Sequence, residues 1–224
     1  PTMNATSTRT PLGRANRTRL AMMAAGMVAG ALGAVVGIRA AEGGFISLDG
    51  LGWSGHLGLW LAMVLFISGL FCVAASFSSR LTARSLDPES TGAARPAQMT
   101  FYRLQGAVLV LAGLMMGAPV LAAQLVDPMP PELAMAVMAA LVAASISQTA
   151  LNLSLWTRAD EMMRRMISEV GAICFWVLQA LFFLWAAAEV LGLAPALSSW
   201  DLMTVLMTAY LCISAGAAYA RGYH

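Results

Sequence analysis

An all-α, polytopic membrane fold is predicted for this chain: a bundle of six transmembrane helices with both termini cytoplasmic. Three observations lead there. Six apolar stretches, at roughly 20–38, 57–78, 104–126, 133–156, 168–191 and 202–220, are each long enough to cross a hydrocarbon core of about 30 Å as a helix. Only 11% of the 224 residues are charged and 59% are hydrophobic, where soluble domains carry about 25% charged residues. Twelve of the thirteen basic residues, all of them arginine, fall in segments of one parity.

That third observation sets the orientation. Arg9, Arg14, Arg17 and Arg19 precede span 1; Arg80, Arg84, Arg95 and Arg103 lie between spans 2 and 3; Arg158, Arg164 and Arg165 lie between spans 4 and 5; Arg221 follows span 6. Only Arg39 has the opposite parity. Arginine is retained on the cytoplasmic side during insertion, which assigns these segments to the cytoplasm of a bacterial inner membrane. Twelve arginines face five acidic residues there, a surplus of seven; one arginine faces six acids on the other side, a deficit of five. The basic excess therefore serves orientation and lipid headgroups, not nucleic acid.

Residues 1–18 are polar and read as a flexible cytoplasmic arm; residues 19–224 read as a single six-helix domain. Span 1 is read as retained. Its lead-in of about 19 residues and its long apolar run do not fit a signal peptide with an h-region of about 7–15 residues. Span 1 carries Gly26, Gly30, Gly33 and Gly37, and span 3 carries Gly113 and Gly117. Lipid gives helices no hydrophobic reason to associate, so small residues at GxxxG spacing mark helix-packing positions, within the chain or between chains. The loop at 39–56 is glycine-rich yet carries Phe45, Leu51 and Trp53, and reads as interfacial. The loop at 79–103 is the one large cytoplasmic loop, with a turn-like centre at 87–92 and Pro96 marking the approach to span 3. Three prolines in 127–132 (Pro128, Pro130, Pro131) make a tight outer hairpin, with Pro131 in the first turn of span 4. Trp53, Trp156 and Trp200 fall at predicted interfaces.

Span 4 has the clearest polar stripe. Ser145, Gln148, Thr149 and Asn152 follow i, i+3, i+4, i+7 spacing and share one helical face. Gln179 sits in the middle of span 5. An amide in lipid must find a partner, so these residues read as interhelix hydrogen bonds or as a polar path. Depths from the cytoplasmic side that differ by only about 4–5 Å predict that Gln148 and Gln179 approach one another. Between spans 4 and 5, Arg158, Asp160, Glu161, Arg164 and Arg165 form a segment suited to docking or headgroup contact. Thr157 and Asp160 have capping-box spacing, and Asp160–Arg164 and Glu161–Arg165 are acid-before-base pairs.

Chemistry is poorly provided for. His56 and His224 are the two histidines and neither lies in a span, so no bis-histidine haem site can form within one chain. Neither a Walker A motif nor an HExxH or GxSxG motif occurs. Cys72, Cys174 and Cys212 lie in three different spans and read as small apolar residues; the sixteen methionines read as flexible filling and not as a copper path. No catalytic residue, metal or cofactor is expected. The leading expectation is a non-catalytic bundle that acts as a homo-oligomer or as a subunit of a larger membrane assembly, with membrane lipids and other transmembrane helices as partners. A small-solute or ion transporter or channel using the polar face of spans 4 and 5 is the alternative.

Overall fold

The computed structural model describes residues 50–85, 93–126 and 128–220. Span 1 with its four glycines, residues 39–49, the centre of the 79–103 loop, Asp127 and Arg221 lie outside the described residues. Every regular element among those described is helical: α1 Trp53–Ala75, α2 Ser79–Ser85, α3 Pro96–Leu125, α4 Pro131–Arg158, α5 Glu161–Val190 and α6 Ser199–Ala220. Five of these, all but the short α2, are long and apolar enough to cross a membrane.

Most of these helices overrun the apolar stretches that predicted them. α3 begins eight residues before residue 104, and α5 begins seven before residue 168. Hydropathy marks where a segment meets polar surroundings, whereas a helix ends where its backbone groups find other partners. Pro96 and Pro131 occupy first-turn positions of α3 and α4, where the missing N–H is not needed. The Arg95 backbone N–H donates to Gln98 Oε1 at 2.9 Å. α5 ends in a Schellman motif: Gly192, at φ +72°, donates to Glu189 O, and Leu193 donates to Ala188 O. α6 opens with a capping box, in which the Asp201 N–H donates to Ser198 Oγ and the Ser198 N–H donates to Asp201 Oδ2.

The helices pack as α4 on α3, α3 on α1, α1 on α6 and α6 on α5. The tightest contact is the antiparallel pair α1–α3. A second seam joins α5 and α6, where Val170, Cys174 and Leu178 meet Val205, Ala209 and Ile213. Leu61, Ala62 and Met116 form the buried centre, with Trp200 and Met207 of α6 against them. Cys174 is buried, Cys72 half-buried and Cys212 exposed, and all three are free thiols. α4 and α5 follow one another through Ala159 and Asp160, yet they do not pack along their lengths.

A corner at the arginine-rich end fixes how α1 turns toward α3. Thr82, fully buried on α2, donates from Oγ1 to Ala75 O and Ser78 O, both at 2.9 Å. Ser76 Oγ donates to Val73 O at 2.6 Å. Arg103 of α3 lays its guanidinium 4.5 Å from the centre of the Phe77 ring, a cation–π contact across the corner.

Candidate functional site

Three sets of residues were singled out from the sequence, and each lands in a different setting. The glycines come first because they set backbone distances. A Cβ on Gly113 would stand 2.7 Å from Ala62 O and 2.8 Å from Phe66 N, so this glycine is where α3 touches the backbone of α1. At Gly117 the nearest atom would be Ala62 Cβ at 3.3 Å, slightly tighter than an ordinary contact and against a side-chain methyl group instead of backbone. Both therefore serve packing inside the chain. Two further glycines of the same seam were not singled out. A Cβ on Gly69 would meet Val110 N at 2.6 Å and Gly106 O at 2.7 Å; one on Gly106 would meet Gly69 O at 2.8 Å. The signal was available, since Gly106 and Gly113 are seven residues apart and so share a helical face.

The polar stripe on α4 divides into hydroxyls and amides. Ser145 Oγ donates to Leu141 O at 2.9 Å and Thr149 Oγ1 to Ser145 O at 2.8 Å, the i−4 pattern by which a helix absorbs its own hydroxyls. They need nothing from a neighbour. The amides do. Gln148 is half-buried, Asn152 and Gln179 are exposed, and none of the three has a hydrogen-bond partner among the described residues. α4 has no buried residue anywhere along its 28 residues. Measured from the helix midpoints at 1.5 Å per residue, Gln148 and Gln179 lie about 5 Å out and Asn152 about 11 Å out, all within the half-thickness of about 15 Å of a hydrocarbon core.

The expected approach of Gln148 to Gln179 is not what the helices make. From the α4–α5 junction Gln148 is about 15 Å along α4, while Gln179 is about 27 Å along α5. The 4–5 Å difference in depth read from the apolar stretches becomes about 12 Å, because α5 starts at Glu161 and not at residue 168. Gln148 lies on the junction side of the midpoint of α4, and Gln179 lies beyond the midpoint of α5 from that junction.

The junction itself is built differently from its sequence pattern. Thr157 lies inside α4, its hydroxyl donating to Ser154 O, and Asp160 alone caps α5 by accepting from the Met163 N–H at 2.7 Å. Arg164 does not pair with Asp160. Its Nε donates to Ala159 O at 3.0 Å and Trp156 O at 3.1 Å, and its other arm reaches Thr157 O at 3.4 Å. One side chain thus satisfies the carbonyls left open where α4 ends, a favourable place for a cation on the helix dipole. Arg165 pairs forward with Glu169 at 3.0 Å and not back to Glu161. Arg158 makes no hydrogen bond or ion pair among the described residues, and it lines a cavity with the first turns of α3.

Comparison with known proteins gives no match: neither a family model, nor a curated protein, nor a solved structure is significantly similar to this chain.

Proposed function

We propose that the chain is a multi-pass protein of a bacterial inner membrane, with six spans and both termini in the cytoplasm, that works without catalysis by lateral association. It acts as a homo-oligomer or as a subunit of a larger membrane assembly. One observation carries this reading: Asn152 and Gln179 are exposed amides at membrane depth on apolar helices, without partners among the described residues. In hydrocarbon an unpaired amide costs about 2 kcal/mol or more, so a neighbouring helix that accepts and donates is favoured over lipid. The wholly unburied α4 supports the same reading, since a helix packed along only one neighbour leaves an open face for another chain.

The test is the mass of the particle in lipid nanodiscs, with and without the double substitution Asn152→Leu and Gln179→Leu. Interhelix hydrogen bonds average about 0.6 kcal/mol. Four amides across a two-fold interface form two such pairs and would then contribute about 1.2 kcal/mol, a roughly eightfold loss of association when they are replaced. A particle of one chain alone, unchanged by the substitutions, would refute the homo-oligomer, and the absence of co-purifying membrane chains from native membranes would then refute the subunit form as well.

A further inference from the structure

A cavity of about 290 Å³ opens at the arginine-rich end of the bundle, between the first turns of α3 and the α4–α5 junction. Ala97, Gln98, Phe101 and Tyr102 form one wall; Arg158, Ala159, Asp160 and Met163 form the other. Small-molecule sites run from about 300 to 1,000 Å³, so this one suits a fragment of headgroup size.

Its charges come as an opposed pair. Arg158 has neither an ion-pair nor a hydrogen-bond partner among the described residues, which leaves a guanidinium able to take a phosphate with two parallel N–H donors. Asp160 uses Oδ1 for the Met163 N–H, and Oδ2 has no partner among the described residues. That oxygen can accept from an ammonium group. Phe101 and Tyr102 stand edge-to-face, with ring centres 5.9 Å apart, and both line the cavity, adding aromatic surface of the kind that attracts a cation. A simple anion would match Arg158 and be repelled by Asp160; a simple cation would meet the reverse. A ligand carrying both charges a short distance apart matches both side chains of the Arg158–Asp160 wall.

We propose that this cavity binds a phosphoethanolamine group, with its phosphate on Arg158 and its ammonium between Asp160 and the Phe101–Tyr102 surface. The site lies where the last residue of α4 and the aromatic pair of α3 mark the headgroup level. A zwitterionic phospholipid of that leaflet is one source of the group; a soluble phosphoethanolamine ester is the other. The inference does not depend on association between chains.

The test uses the full chain in detergent and native mass spectrometry with short-chain phosphatidylethanolamine, phosphatidylglycerol and phosphatidylcholine, and with soluble phosphoethanolamine. Phosphatidylethanolamine is expected to bind about tenfold better than either other lipid, since phosphatidylglycerol lacks the ammonium and phosphatidylcholine cannot donate a hydrogen bond from its own. Arg158→Gln and Asp160→Asn are each expected to lower that binding about tenfold. Asn still caps a helix, so the second variant removes the charge and keeps the α5 start. Glu132→Gln, at the opposite end of α4, is expected to leave binding unchanged. Binding of soluble phosphoethanolamine with the same losses in both variants supports the site and assigns it to a soluble source. Equal binding of all three lipids, preference for phosphatidylglycerol, or undiminished binding in folded Arg158→Gln and Asp160→Asn would overturn it.

Discussion

Gly113→Ala is the sharpest probe of the α1–α3 seam, because the added carbon meets backbone and not a side chain that can turn aside. Its Cβ would lie 2.7 Å from Ala62 O, where ordinary contacts begin at 3.4 Å, so the helices must separate by about 0.7 Å there. A gap of that size along the rest of the seam forfeits about a quarter to a half of each dispersion contact. Overpacking of this kind costs about 1–3 kcal/mol, against which the alanine returns up to about 1 kcal/mol of helix propensity. The expected net loss is about 1–2 kcal/mol. Gly69→Ala and Gly106→Ala should cost as much singly, and less than their sum together, since one separation relieves both clashes. Gly117→Ala should fall within about 0.5 kcal/mol of wild type, because its closest contact of 3.3 Å is to a methyl group. Gly171→Ala and Gly216→Ala, with nothing within 4 Å of the new carbon, should be neutral or stabilising by up to about 1 kcal/mol. Unfolding in mixed micelles by titration with sodium dodecyl sulfate, followed by tryptophan fluorescence, reads all six. Equal stabilities of Gly113→Ala and Gly171→Ala would refute the close-approach argument.

Two other expectations concern the junction and the topology. Arg164→Ala removes the donor to three carbonyls at the end of α4 and should lower stability by about 1–2 kcal/mol in the same titration, with Arg164→Lys recovering part of the loss; a null effect would mean water caps the helix equally well. Single cysteines at exposed Glu132 and Met162 should react oppositely with a membrane-impermeant maleimide on intact cells, Glu132→Cys labelled and Met162→Cys protected until lysis. The reverse pattern would invert the arginine-based orientation.

Much of the fold was legible in the chain because its causes are local. Five of the six predicted stretches correspond to the five long apolar helices described, and span 1 lies outside the described residues. Pro96 and Pro131 mark helix starts because the first turn does not use the N–H that proline lacks. The hydroxyls of Ser145 and Thr149 could also have been assigned to their own helix, since that bond needs only the preceding turn.

What tertiary structure alone decided depends on rotation and register, which composition does not record. Gly106 and Gly113 became a seam, together with Gly69, because one face of α3 met one face of α1 at a particular offset; at Gly171 and Gly216, the same residue in similar helices, an added Cβ would meet nothing within 4 Å. Gln148 and Gln179 were separated because α5 keeps its helix through Glu161–Ile167, stretching the path from the junction to Gln179. Arg164 turned back to the carbonyls of Trp156, Thr157 and Ala159 instead of pairing with Asp160, because the end of α4 leaves several acceptors open within reach of one guanidinium. In each case several local pairings were open to the residue, and the position of a second helix, or of the backbone end beside it, selected one.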